Sequence, residues 1–378
     1  MLIIKDCNLI SMAGIYEEKK DILVENGKIV DIVDRADENS FPGAEVISAG
    51  GSIVTPGLVE PHCQLGVVEQ IYRFEGNDGD EIDGPVLPQL RALDAINPED
   101  EGFEMAVRGG VTTSVTGPGS NNLIGGTCAA VKHRGKTVAD MVLKEEACFS
   151  FVLGAAPKAA YGSKSVKTRM AEAALIREAL LKAQEYHRLT KEGKTPKFDM
   201  KSLSLSRVFD GMLVKITAQQ AYDIMTGIRI GEEFGLNYTI DRACEAYLIP
   251  DELKAHNVRV VVGPTFGSKG SYEVRKRDTI AGARLEQAGI DFAVSTGHPA
   301  MNVEYANVQL AMMLKKGLSR KKALESMTID AARLCGIEDR VGSIEPGKDA
   351  DIVIWDGEPL DFYASPKAVF IDGCKVLG

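Results

Sequence analysis

His62 and Gln64 stand two residues apart at the end of the run Val54-Thr-Pro-Gly-Leu-Val-Glu-Pro-His62-Cys-Gln64. In a strand, side chains i and i+2 point to the same side. Two histidines so spaced would both reach one metal ion, but here an imidazole is followed by a neutral amide. Among the five histidines, His298, followed by Pro299 at the end of an apolar run, is the other one placed for chemistry. His133, His187 and His256 lie in polar surroundings and are expected on the surface. Lys215 alternates with Thr217 and so points inward, where a buried amine would have a lowered pKa; a salt bridge is the plainer expectation for it. Cys63 should face away from His62 as a core thiol, and Cys244 falls in a loop just after Arg242. Gly117-Pro-Gly-Ser-Asn-Asn-Leu-Ile-Gly-Gly126 lacks the Gly-Lys-Ser/Thr ending of a phosphate-binding loop. Its glycines suit tight turns or close backbone approach. The acidic run Glu75–Asp83 reads as a solvated loop or a lid.

These residues need elements to position them. Strand-like runs are expected at Gly57–Gly66, Val111–Gly117, Ala129–Arg134, Cys148–Gly154, Leu213–Gln219, Leu236–Asp241, Val258–Gly263 and Ile290–Thr296. Amphipathic helical patterns between most of them are clearest at Ser165–Thr190, Ala221–Phe234 and Tyr305–Lys316. Such alternation implies parallel βαβ units, and eight of them a closed (β/α)8 TIM barrel with its site at the C-terminal ends of the strands. Both chain ends instead read as short strands with hairpin turns at Asn26-Gly27 and Asp372-Gly373. Neither end has enough strands for its own core, so residues 1–55 and 341–378 are expected to pair in one small β-sandwich domain, with the barrel spanning 56–340.

Composition narrows the function. The chain of 378 residues is 44% hydrophobic and 26% charged with one Trp, as for a globular protein with a large core. A net charge of −10 argues against nucleic acid or an anionic membrane as partners. The apolar start is too short for a signal peptide, and no later run reaches transmembrane length. Seven dispersed cysteines without pairing spacings fit reduced thiols and a cytoplasmic location.

Glu60-Pro-His62-Cys-Gln64, Gly110-Val-Thr-Thr113, Gly342-Ser-Ile-Glu-Pro-Gly-Lys-Asp-Ala-Asp-Ile-Val353 and Phe370-Ile-Asp-Gly373 resemble the amidohydrolase superfamily, in its imidazolonepropionase-like and prolidase-like branch. The resemblance covers nearly the whole chain. It implies a barrel binding one or two divalent ions, usually zinc, that activate water against an amide, imide or related C–N bond. Position by position the implied ligands are missing. Gln64 replaces the second histidine, and Ala155-Ala-Pro-Lys158 stands where relatives present a glutamate or carboxylated lysine. Thr217-Ala-Gln219 and Arg242 stand where they carry histidines, and Gly297 replaces the aspartate. A unit charge roughly 4 Å from a dication costs on the order of 8 kcal/mol at an effective dielectric near 20, so Arg242 opposes a metal ion at that position.

The leading expectation is therefore an enzyme of amidohydrolase descent acting on a C–N bond of a small, anionic molecule without the usual binuclear metal. His62, His298 and Asp241 are its candidate catalytic groups, and Arg242, Lys158, Lys132, Gln64 and Gln219 its candidate substrate-binding groups. No metal ligand set is expected, with a single weakly held divalent ion such as zinc at His62 as the fallback. The alternatives are a non-catalytic binding or assembly protein on the same scaffold, and a metal-dependent hydrolase with a shifted ligand set. A small-molecule ligand and a homo-oligomer are the expected partners.

Overall fold

A computed structural model describes residues 1–71 and 74–378. The N-terminal segment forms β1 (Leu2–Ile10), β2 (Tyr16–Glu25), β3 (Lys28–Val33), β4 (Glu45–Ser48) and β5 (Ile53–Pro56). The barrel strands follow: β6 (Leu58–Cys63), β7 (Val111–Thr116), β8 (Ile124–Lys132), β9 (Val142–Val152), β10 (Leu213–Thr217), β11 (Tyr238–Asp241), β12 (Val260–Val262) and β13 (Phe292–Val294). The C-terminal segment adds β14 (Ile352–Trp355), β15 (Pro366–Ile371) and β16 (Cys374–Leu377).

The two chain ends share one sheet, in the order β16-β15-β14-β5-β1-β2-β3 with β4 beside β1. The seam is the antiparallel pairing of β14 with β5, Ile354 opposite Val54. Ile4, Leu9, Ile22, Ile352 and Phe370 pack together as its core, which neither end could build alone. At the β2–β3 and β15–β16 turns, Asn26, Gly27, Asp372 and Gly373 all have positive φ. That is the primed-turn geometry whose twist matches the strands it joins.

The barrel sheet runs β13 through β6 in order, and side chains close its seam: Ser295 Oγ and the Thr296 backbone N–H, at the end of β13, donate to the Glu60 carboxylate on β6 at 2.5 and 2.8 Å. Eight strands were expected, all parallel. The third is reversed, because β8 pairs antiparallel with both β7 and β9. It starts at Ile124, five residues before the expected Ala129. No helix-long stretch separates β7 from β8, so the chain turns back through the Gly-rich loop instead of crossing over. The reversal puts Lys132 and His133 at the end of the barrel opposite the site. Helices Arg169–Lys191, Ala221–Glu233 and Ala306–Leu314 occupy the outer layer where the amphipathic patterns place them. Among the described residues no helix is long and apolar enough to cross a membrane.

Candidate active site at the barrel mouth

Strand alternation brings four side chains inward under the mouth. Thr217 pairs with Asp241 and Lys215 with Thr239 across β10 and β11, so Lys215 and Asp241 lie within reach on one face. Asp241 Oδ2 accepts from Lys215 Nζ at 2.9 Å and lies 3.0 Å from His62 Nδ1, while Thr239 Oγ1 donates to Oδ1 at 2.6 Å. Asp241 and Lys215 are fully buried; His62 is only partly so. Burial alone would push the Asp241 carboxyl up, but the Lys215 ammonium and His62 together hold it well below the usual range. Burial would likewise lower the Lys215 pKa, as its sequence context suggests, yet the Asp241 charge outweighs it and the ammonium is held above its ordinary value. For His62, burial wins over the Asp241 attraction and its pKa is lowered. Asp241 therefore stays ionised and fixes the proton of His62 on Nδ1, which leaves Nε2 with a lone pair toward the mouth.

Glu60 has no free oxygen for chemistry. Oε1 accepts from Ser295 Oγ and the His62 N–H, Oε2 from the Thr296 N–H and Oγ1. It anchors the backbone that presents His62. His298 is fully buried, with Nε2 2.7 Å from the Gln70 side-chain amide and burial pushing its pKa down to about 4. The structure thus walls it off behind the loop after β6. The Gln64 side chain lies against Gly79 of that loop, where a Cβ would sit 2.6 Å from Nε2. Around Asp80 this loop is docked: the Asn121 N–H donates to Asp80 at 2.8 Å. A Cβ on Gly119 would meet the Asp80 carboxylate at 2.4 Å, so only glycine permits the approach.

Arg242 follows Asp241 with φ +52°, a left-handed conformation rare outside glycine. The turn directs its side chain across the mouth toward Gly297, whose missing Cβ would stand 3.6 Å from an Arg242 Nη. Gly297 leaves the room that the guanidinium fills. Arg242 has no carboxylate within salt-bridge distance among the described residues, and its Nε is buried without an acceptor. Burial lowers its pKa, and the charge of Arg277 lowers it further.

Beside the mouth, at the ends of β9 and β10, lies a ring of charged side chains. Glu172 accepts from the Gly154 N–H at 3.0 Å and Glu273 from the Ala155 N–H at 2.6 Å, while Arg169 Nε donates to Asp223 at 2.7 Å. Burial pushes Glu172 up to about 7. Lys158 acts electrostatically on Glu172 and Asp223 and so belongs to this ring. Gln219 is at the rim, its carbonyl accepting from the Glu245 N–H at 2.9 Å.

Two placements correct the sequence reading. Lys132, expected as an anion binder, lies at the far end of the barrel, where its amine meets Asp349 at 2.6 Å, Asp351 at 3.0 Å and Asp372. The reversal of β8 carries it there. His133 is buried, not on the surface, with its ring 2.9 Å from the Val111 carbonyl and 3.0 Å from Ser114 Oγ. Sequence reasoning passed over Arg277 and Glu273, which lie in a polar loop after β12 with no periodic pattern to place them.

The eight-stranded barrel and the β-domain built from both chain ends together match one family of hydrolases. The chain belongs to the amidohydrolase family, whose model matches residues 53–376; these are hydrolases of carbon–nitrogen bonds other than peptide bonds. It is 34% identical to a crystal structure of an amidohydrolase from Thermotoga maritima MSB8, with a TM-score of 0.95 over 100% of both chains. It is 27% identical to the amidohydrolase tasK of Hapsidospora irregularis over 93% of this chain, but spans only 39% of that longer protein. It is 26% identical to a dihydroorotase of Aquifex aeolicus over 94% of this chain and 89% of that protein.

Members of this family usually carry metal ions. Here His62 Nδ1 and both Asp241 oxygens are taken up by Lys215, Thr239 and each other, and an arginine projects into the same space. Among the described residues no three His, Cys, Asp or Glu side chains are grouped so as to hold an ion. A site built on this donor set does not fit the family's metal centre.

Proposed function

We propose that this protein hydrolyses a C–N bond of a small amide, cyclic amide or imide with side chains in place of the binuclear metal centre. The observation that carries this reading is the His62–Asp241–Lys215 chain. A buried carboxylate orients the imidazole, and a buried ammonium keeps that carboxylate ionised. His62 Nε2 takes a proton from water as the oxygen attacks the carbonyl carbon. Negative charge develops on the carbonyl oxygen, and the unpaired Arg242 guanidinium offsets it. Collapse breaks the C–N bond, the nitrogen leaves with the proton held by His62, and a carboxylic acid and an amine or amide remain. Asp241 orients His62 and does not itself transfer the proton, because its pKa is too low. His298 plays no direct part, being walled in by Gln70.

The test is turnover of a panel of acyclic amides, lactams and cyclic imides by protein dialysed against chelator. Activity is expected to survive chelation, and His62→Asn to lower kcat by about 10²–10⁴-fold while the fold is retained. With His62 held below its ordinary pKa, kcat/KM should rise with pH through an apparent pKa under about 6.5 and level off at neutrality. Activity that disappears on chelation and returns with zinc would overturn the reading.

A further inference from the structure

Arg242 is not the only cation without a partner at the mouth. Arg277, in the loop between β12 and helix Ala281–Ala288, also has a buried Nε with no acceptor and no carboxylate within salt-bridge distance among the described residues. Its one side-chain hydrogen bond runs from an Nη to the Ser268 carbonyl at 2.8 Å. The charge of Arg277 lowers the Arg242 pKa beyond what burial does. The segment Pro264–Gly267 leads from one to the other. A Cβ on Gly297 would sit 3.1 Å from Pro264 and 3.6 Å from Arg242, while a Cβ on Gly267 would sit 3.3 Å from Arg277 Nη. Between them Thr265 is buried with its Oγ1 unpartnered.

The acidic neighbours do not neutralise this pair. Glu60 and Glu273 act on Arg242 only at a distance. Glu60 has all its oxygens occupied, and Glu273 Oε1 is held by the Ala155 N–H. Glu245 leans toward Arg275, at 3.5 Å. Two desolvated like charges repel, and each unmade hydrogen bond from a buried donor carries a further cost. A polyatomic anion removes both penalties at once, since a carboxylate or phosphate offers several acceptor oxygens to planar guanidinium forks.

We propose that Arg277, with Thr265, forms an anion subsite that seats a carboxylate or phosphate group carried by the substrate, leaving Arg242 to face the reacting carbonyl. The word substrate rests on the hydrolase reading above; the subsite does not. Its test is binding, measured by calorimetry on the full chain at constant ionic strength with succinate, inorganic phosphate and chloride as probes. Succinate or phosphate is expected to bind with unit stoichiometry where chloride does not, and whichever binds names the group. Arg277→Gln should weaken that binding about tenfold or more. Arg177→Gln, at a half-buried arginine paired with Glu233, should leave it unchanged. Binding of neither oxyanion, or binding indifferent to Arg277→Gln in a variant with unchanged melting temperature, overturns the subsite. Oxyanion binding without any amide turnover would sink the hydrolase reading and leave the subsite standing. Hydrolysis of neutral amides with no oxyanion binding would do the reverse.

Discussion

Lys132 at one end of the barrel and Arg242 at the other are both cations drawn into the protein, and their surroundings differ. Three carboxylates, Asp349, Asp351 and Asp372, surround Lys132, and Lys28 and Arg340 also bond to Asp349. Three cations meet three anions there, and the network joins the barrel to the strands of the chain ends. Arg242 faces Gly297, feels the like charge of Arg277, and has no carboxylate within salt-bridge distance among the described residues. A closed network of this kind holds two parts of a structure together. A cation left without a counter-charge, on a strained backbone, at the face where barrels place their sites, marks a position kept for a ligand.

The comparison is broken most severely by removing one side of the paired end. Deleting residues 1–50 takes away β1 to β4 and strips β5 of β1, leaving a β16-β15-β14-β5 sheet with an open edge. Unpaired strand edges associate with one another, so the truncated chain should be insoluble on expression. A soluble barrel with a cooperative urea transition would show that the joint is dispensable.

Single substitutions should then separate the two cations. Lys132→Met leaves the buried Asp351 without a counter-charge, and denaturant unfolding should show a loss of about 3–5 kcal/mol. Arg242→Gln removes a charge that nothing neutralises. Its unfolding free energy should change by less than about 1 kcal/mol or increase, although turnover falls. Equal destabilisation by the two variants would show that Arg242 is structural too.

The smallest effect is a pH slope. Burial holds His133 and His298 each down to about 4, below the unfolded value of about 6.5. Between those values the unfolded chain binds more protons, so stability is complete above about 6.5 and declines as pH falls toward 4. Asp349, burial notwithstanding, is held down to about 2 by its cationic partners. Its contribution is present above about 3.9 and is lost only below that. Urea midpoints should fall between pH 7 and 4 through the buried histidines, with Glu172, held up to about 7, acting in the opposite sense, and His133→Gln should make the decline shallower.

The barrel, its strand positions and the joining of the two chain ends were legible because alternation, turn dipeptides and the Gly342–Val353 segment are local patterns. The direction of β8 was not legible: a nine-residue apolar strand reads the same either way, and only the lack of a helix after β7 hinted at it. His133 looked exposed because its neighbours Lys132 and Arg134 are charged, but β8 carries its ring under β7. Arg277 was hidden in a loop.

What the sequence determined by itself is therefore the scaffold, because it depends on residue type at short, regular spacing. The tertiary structure alone decided which charges are satisfied. Pairing Lys132 with Asp349, or leaving Arg242 facing Gly297 and Arg277, depends on distances between residues far apart in the chain. Electrostatic energies in a low-dielectric interior turn on those distances, and no local pattern encodes them.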